Sequence, residues 1–170
     1  GHMLPSASRQ GSYANNAQTF YGTNMTPQFY GFNQNIWADL EIKVRNWASK
    51  SDTLYVITGC QVDGADSYVR DASANKVTIP VSYYKAVLRY KTSSTIGYGN
   101  YAGCAFFFDH DEYSSASKYD RSISKSMAIS ISELEAKLGF RLFDALDEAL
   151  GEDTAGKVRK QDPKSVDWWW

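Results

Sequence analysis

The spacing of apolar residues changes several times along the chain, and each change marks an element. Residues 3–23 are rich in Ser, Asn, Gln and Gly, carry no periodic apolar face and read as an irregular stretch. From Asn33 to Ser49, Trp37, Leu40, Val44 and Trp47 recur at the three-and-four spacing of one helical stripe, and Ser51-Asp52 ends it. "TLYVITGC" is rich in β-branched and aromatic residues and predicts a strand. "GADSYVRDASANK" is polar and without regular pattern. "VTIPVSYYKAVLRY" predicts a strand pair or one bent strand, with Pro80 favouring an edge or a bend, and "YAGCAFFFDH" predicts another strand. In "SISKSMAISISELEAKLGF", Ser132 and Glu135 fit an S-x-x-E capping box, and Gly139 sits where a glycine stop belongs. "RLFDALDEALGEDTAGK" follows as a second short helical stretch, and "VRKQDPKSVDWWW" has no period. Loop, helix, strands, helix is the order of an α+β domain with a mainly antiparallel sheet.

Composition narrows this picture. The 170 residues are 43% hydrophobic and 22% charged, which suits one globular domain with a sizeable core. No run approaches the roughly 18 apolar residues that span a bilayer, so no membrane partner is expected. The net charge of −1 excludes a protein that grips nucleic acid along a long basic groove, so any such contact is local. Cys60 and Cys104 each follow a Gly near a strand and fit either two small buried thiols or a disulfide between neighbouring strands. A zinc site from Cys60, Cys104, His2 and His110 would use every Cys and His, but no metal-ligand spacing supports it.

The first helix carries the candidate chemistry. With Asn33 at zero, Trp37 lies near about 40°, Leu40 near about −20° and Val44 near about 20° on a 3.6-residue helix. Asn33 therefore faces inward, where its amide needs a hydrogen-bond partner or a ligand. It fits an N-cap or a metal ligand. Glu41 lies at the stripe's edge, four residues before Arg45, in the order of a surface ion pair. Asn24, before Pro27, has the place of a turn residue. The opening Gly1-His2-Met3 matches what a cleaved purification tag leaves, and the residues downstream must decide what His2 is.

Taken together, "GHMLPSAS", "TNMTPQ" and "FNQNIWADLE" place Asn24, Asn33 and Glu41 at intervals of nine and eight residues behind His2. This pattern resembles the DNA/RNA non-specific endonuclease family, sugar-non-specific nucleases of the ββα-metal (His-Me finger) superfamily. "WASKSDTLYVITG", "VTIPVSYYKAVL" and "ISISELEAKLGFRLFDAL" resemble later family segments, so the likeness covers residues 1 to about 150. It implies an endonuclease domain over residues 1–150 and a polar, Trp-ending tail over residues 151–170.

The resemblance also implies roles. Asn33 would be the single protein ligand of one divalent cation, Mg²⁺ or Mn²⁺, an oxygen donor suited to a hard ion. Glu41 would accept from the ion's waters. His2 would be the general base that takes a proton from the attacking water. Asn24 would support the site. DNA and RNA would both be substrates, cut to 5′-phosphate ends, because chemistry at the phosphate need not read the base.

The family motif begins Asp-Arg before Gly-His, and the family's front half brings further strands and an arginine for the phosphate transition state. None of these is in this sequence. A lost preorganised charge costs roughly 100-fold in rate, so the chain as given is expected to cut weakly. Arg9, seven residues after His2, is the candidate substitute for binding substrate. The alternative is a non-catalytic nucleic-acid- or protein-binding module on the same scaffold. A carbohydrate-binding reading rests only on aromatics such as Trp168 to Trp170. The expected location is secreted or periplasmic.

Overall fold

A computed structural model describes residues 1–93, 97–111 and 122–165. Trp168 to Trp170, and with them the end of the expected tail, lie outside the described residues. The described residues form helices α1 (Tyr13–Gln18), α2 (Tyr30–Phe32), α3 (Ala38–Ala48), α4 (Ile131–Leu138), α5 (Ala145–Leu150) and α6 (Glu152–Lys160). The strands are β1 (Thr53–Gln61), β2 (Tyr68–Arg70), β3 (Lys76–Thr78), β4 (Ser82–Tyr90) and β5 (Tyr101–Asp109). The three long strands form a sheet in the order β1-β4-β5. The bonds Val81 to Gln61 and Asp52 to Tyr90 run β1 against β4, while His110 to Val81 and Lys91 to Asn100 run β4 against β5. Both pairings are antiparallel, and the expected α+β class is met. β4 is central and buried at eight of its nine positions, which is why it reads as a continuous rather than an alternating apolar run. No helix among the described residues is long and apolar enough to cross a membrane.

The chain divides into two compact units, and the division falls within each long strand. The first contains residues 1–45, 58–83 and 108–122. Its core is aromatic: Phe32, Trp37 and Tyr83 are fully buried with Ile36 and Leu40 beside them. The Phe32 and Trp37 rings stack at 5.3 Å, and Tyr83 packs on both. The helix predicted from Asn33 begins earlier, at Tyr30, and passes through a π-helical turn over Asn33–Trp37 before becoming regular. Such turns are uncommon and recur at functional sites. The excursion read as patternless folds into a hairpin, with Tyr68 opposite Thr78 and Arg70 opposite Lys76. Its turn is built by Asp71, whose carboxylate accepts from the backbone of Ser73 and Asn75. Pro80 separates β3 from β4, so the segment forms two strands rather than one bent strand, but they belong to different sheets and do not pair with each other.

The second unit contains residues 46–57, 84–107 and 123–170. Tyr84, Ala86, Leu88 and Ala105 from the strands pack with Ile131, Leu134, Leu146, Ala155 and Val158 from the helices. Trp47 stacks on Phe106. The capping box at α4 lies two residues before the expected one: Ser130 Oγ accepts from the Glu133 N–H, and Glu133 returns the bond to the Ser130 N–H. S-x-x-E occurs twice in "SISELE", and the register that buries Ile131 and Leu134 selects the first. Gly139 ends α4 at φ 76°, as the sequence requires. The stretch from residue 151, expected to be a polar tail, continues as α6 to Lys160 and buries Ala155, Val158 and Arg159. The Arg159 guanidinium bonds both Asp147 oxygens at 2.8 and 2.9 Å and the Phe143 carbonyl at 3.0 Å. A polar residue occupies this apolar stripe because its charge is paired. Cys104 is buried and Cys60 half-buried, both as free thiols, so the disulfide alternative does not hold.

Candidate active site

His2 is held by a short antiparallel pairing. It forms a bridge with Met25, flanked by bonds from Met3 N–H to the Asn24 carbonyl at 2.9 Å and from Thr26 N–H to the Gly1 carbonyl at 3.0 Å. Asn24 secures the same segment with its side chain. Its Oδ1 accepts from the Leu4 N–H at 2.9 Å, and its Nδ2 donates to the carbonyls of Leu4 at 2.9 Å and Thr19 at 2.8 Å. The amide is thus occupied with backbone, and Asn24 acts on His2 through the strand that carries it. The His2 ring meets Phe20 in a T-shaped contact at 4.9 Å. Its Nε2 is buried with no hydrogen-bond partner among the described residues. Burial holds the imidazole pKa below its ordinary value, and the positive amine beside it adds to the effect. The shift favours the neutral form of the ring.

The helix supplies the Asn33 amide and the Glu41 carboxylate near the same place, and Gln28, just before the helix, supplies a second amide. Asn33 has helical dihedrals, and its N–H bonds the Phe29 carbonyl. Phe29 is the N-cap, so the capping alternative for Asn33 falls away. Its side chain instead faces Gly1. A Cβ at Gly1 would stand 1.7 Å from Gln28 Oε1, 2.4 Å from Gln28 Cδ and 3.0 Å from Asn33 Oδ1. A side chain at this position would have to push the Gln28 amide aside. Both Gln28 amide atoms are buried without hydrogen-bond partners among the described residues. Glu41, two helical turns beyond Asn33, acts electrostatically on the Gly1 amine and raises its pKa, against a larger lowering by burial. Arg45 Nη1, one turn further, is also buried without a hydrogen-bond partner among the described residues. Arg9 is exposed, just after the turn Ser6–Ser8, and no contact among the described residues brings it to His2.

Behind these groups, two side chains clamp the Thr26–Phe29 segment. The Tyr83 hydroxyl donates to the Pro27 carbonyl at 2.8 Å and lies 2.9 Å from Thr26 Oγ1. Burial pushes its pKa up to about 12, although the contact with Thr26 works the other way. The Gln28 amide lies close enough to lower it slightly without reaching hydrogen-bonding geometry. His110 accepts from the Phe29 N–H at its Nε2, at 2.9 Å, and its Nδ1 lies 2.7 Å from the Pro80 carbonyl. That pattern puts the proton on Nδ1. His110 thus anchors the start of the helix and stands in no metal cluster with His2 and the cysteines. No group of three or more His, Cys, Asp or Glu that could hold a metal occurs among the described residues.

Sequence reasoning missed Gln28 and Tyr83, and weighed His110 only as a zinc ligand. Gln28 stood inside the quoted "TNMTPQ", and its fixed place after Pro27 was the available signal. Tyr83 and His110 come from distant parts of the chain, and nothing local marks them.

His2 thus follows a glycine that lies against the Gln28 amide and the helix-borne Asn33 amide, on an α+β scaffold with an antiparallel sheet. The chain belongs to the DNA/RNA non-specific endonuclease family, whose sequence profile matches residues 1–149. It is 27% identical over 154 residues to nuclease C1 of Cunninghamella echinulata var. echinulata, covering 86% of this chain and 57% of that protein. It is 36% identical over 88 residues to a nuclease of Nostoc sp., covering 52% of this chain and 30% of that protein. Endonuclease G of Caenorhabditis elegans is 34% identical over 97 residues, covering 52% of this chain and 31% of that protein. The chain thus spans between about a third and rather more than half of these relatives. In fold it is similar to a chain in the crystal structure of the EndoG/EndoGI complex, with a TM-score of 0.64 at 20% identity over 85% of this chain and 58% of that one.

Proposed function

We propose that this chain hydrolyses phosphodiester bonds of DNA and RNA with the help of one divalent cation, Mg²⁺ or Mn²⁺, leaving 5′-phosphate ends. The observation that carries the reading is the position of Gly1. A Cβ built there would meet the Gln28 and Asn33 amide oxygens, and the next residue is a histidine whose pKa burial lowers.

The donor set fits such an ion. Amide oxygens are hard donors, and a nearby carboxylate can accept from coordinated water. The buried Gln28 amide, without a geometric hydrogen-bond partner among the described residues, is a further polar group of the cradle. Asn33 Oδ1 would hold the cation and Glu41 its waters. When bound, the ion would stabilise charge on the scissile phosphate and the departing 3′ oxygen.

The remaining work falls to the protein. His2 Nε2, buried and unpartnered, takes the proton of the attacking water, and the lowered pKa keeps it a base at neutral pH. Asn24 keeps the strand bearing His2 in register with Met25. Tyr83 and His110 hold the Thr26–Phe29 segment, and with it Gln28 and the start of the helix. Digestion of supercoiled plasmid and of RNA with Mg²⁺ tests the reading. Cleavage is lost in His2→Ala and Asn33→Ala and reduced in Glu41→Ala. Mg²⁺-dependent cutting that survives all three substitutions refutes it.

A further inference from the structure

The segment that carries His2 offers few charges of its own to a nucleic-acid backbone. Arg9 is the only charged side chain among residues 1–38. The same stretch exposes aromatic rings: Phe20 is 58% accessible, Tyr21 61% and Tyr30 79%. Phe20 is the informative one. It is more than half exposed, yet it touches the His2 imidazole at a centroid distance of 4.9 Å and an interplanar angle of 86°. Met25, paired directly opposite His2, and Leu4 are also exposed and extend the apolar surface. A stretch with a single charged side chain supplies few phosphate contacts by itself, so its own share of affinity from counterion release is small. It can gain affinity from the faces of unpaired bases, which stack on aromatic rings with little regard to sequence.

We propose that Phe20 is a substrate-binding residue that stacks on an unpaired nucleobase next to the scissile phosphate, so that this chain prefers single-stranded DNA or RNA to duplex. The proposal rests on the nuclease reading above for the position of the phosphate. A duplex keeps its bases stacked on one another and offers Phe20 only an edge. A single strand can turn one base onto the ring while its phosphate reaches His2. Because every base has a face, the contact leaves cleavage non-specific in sequence.

The test is fluorescence anisotropy with a labelled oligonucleotide of about ten nucleotides, in the His2→Ala background so that nothing is cut. Three forms are compared: the single strand, its duplex, and the single strand with central abasic sites. The single strand is expected to bind about 10-fold more tightly than either of the others. Phe20→Ala removes that advantage and leaves abasic binding unchanged, while Phe20→Trp preserves it. Binding of the single strand weakens only modestly between low and moderate salt. Equal binding of the normal and abasic strands, or a Phe20→Ala variant that binds like its parent, overturns the proposal. So does an equal loss on both strands, which would make Phe20 a structural residue rather than a stacking surface. Failure to bind any oligonucleotide overturns it too, leaving this stretch to a protein partner. Plasmid and single-strand digestion by the unsubstituted chain read the nuclease assignment separately. Stacking without cutting would refute that assignment alone, and cutting without base discrimination would refute the stacking alone.

Discussion

Replacing Gly1 by Ala adds one methyl group at the narrowest point of the candidate site. The new Cβ would stand 1.7 Å from Gln28 Oε1 and 2.4 Å from Gln28 Cδ, where real contacts do not fall below 3.0 Å. Something must move by more than an ångström. The Gln28 side-chain end can rotate away at a cost of about 0.5–1.5 kcal/mol in rotamer strain. Alternatively, the strand bearing His2 is lifted from Asn33, whose Oδ1 already sits at the 3.0 Å limit. Either response displaces a group that the proposed chemistry needs in place. A misplacement of about 1 Å costs about 100-fold in rate, so Gly1→Ala is expected to cut plasmid about 100-fold more slowly under saturating Mg²⁺. Thermal stability should change little, because the shifted groups lie outside the aromatic core. The assay is the initial rate of supercoil loss, with a circular-dichroism melt as the folding control. Gln28→Ala and the double variant complete a cycle. If the methyl acts through Gln28, the double variant is no slower than Gln28→Ala alone. A Gly1→Ala rate within about threefold of the parent would show that the cradle formed by Gln28 and Asn33 is not part of the reaction.

Burial holds the His2 pKa down, so the base form persists as pH falls; the acid limb of kcat/KM should lie below the ordinary imidazole value of about 6.5, and a limb above it contradicts the role. Glu41→Gln should weaken activation by Mg²⁺ about 10- to 100-fold, read as a shift in the midpoint of a Mg²⁺ titration with the melt unchanged. Tyr83→Phe strands the Pro27 carbonyl and should lower stability by about 1 kcal/mol in urea unfolding; an unchanged midpoint would mean the clamp carries no free energy. In the second unit, a Cβ at Gly103 would lie 2.5 Å from Ile131 Cδ1 and 3.2 Å from the Val158 carbonyl oxygen. Gly103→Ala should therefore destabilise by about 1–3 kcal/mol without altering Mg²⁺ dependence, and a melt equal to the parent's would show that α4 and α6 can give way.

Much of the local structure is written in short-range pattern. The Trp37, Leu40, Val44, Trp47 stripe, the strand compositions and the Gly139 stop each act over a few residues, and each gave its element. Where two local readings competed, burial chose between them. Ser130 and Ser132 are equivalent as caps on paper, and the packing of Ile131 and Leu134 separates them. The hairpin over Tyr68–Thr78 escaped notice because Asp71 builds its turn with side-chain bonds rather than with Asn-Gly or Asp-Gly. The last turn of α6, beyond the helical stretch read as far as Lys157, escaped notice because it includes Arg159, a charge that is legible as core only once Asp147 is beside it.

The site divides in the same way. His2, Asn24, Asn33 and Glu41 stand at fixed intervals within the first 41 residues, so their number and order are properties of the sequence. Their relation is not. The sequence could not say that the Asn24 amide is spent on backbone, that Asn33 turns its oxygen to Gly1 rather than capping the helix, or that Gln28 shares the cradle. It could not say that Tyr83 and His110 hold this segment from elements dozens of residues away. Pattern fixes periodicity and local bonding, whereas contacts between distant segments arise only when the chain packs. The neutral state of His2 is of that second kind: the residue is given by the sequence, and its usable nitrogen by burial.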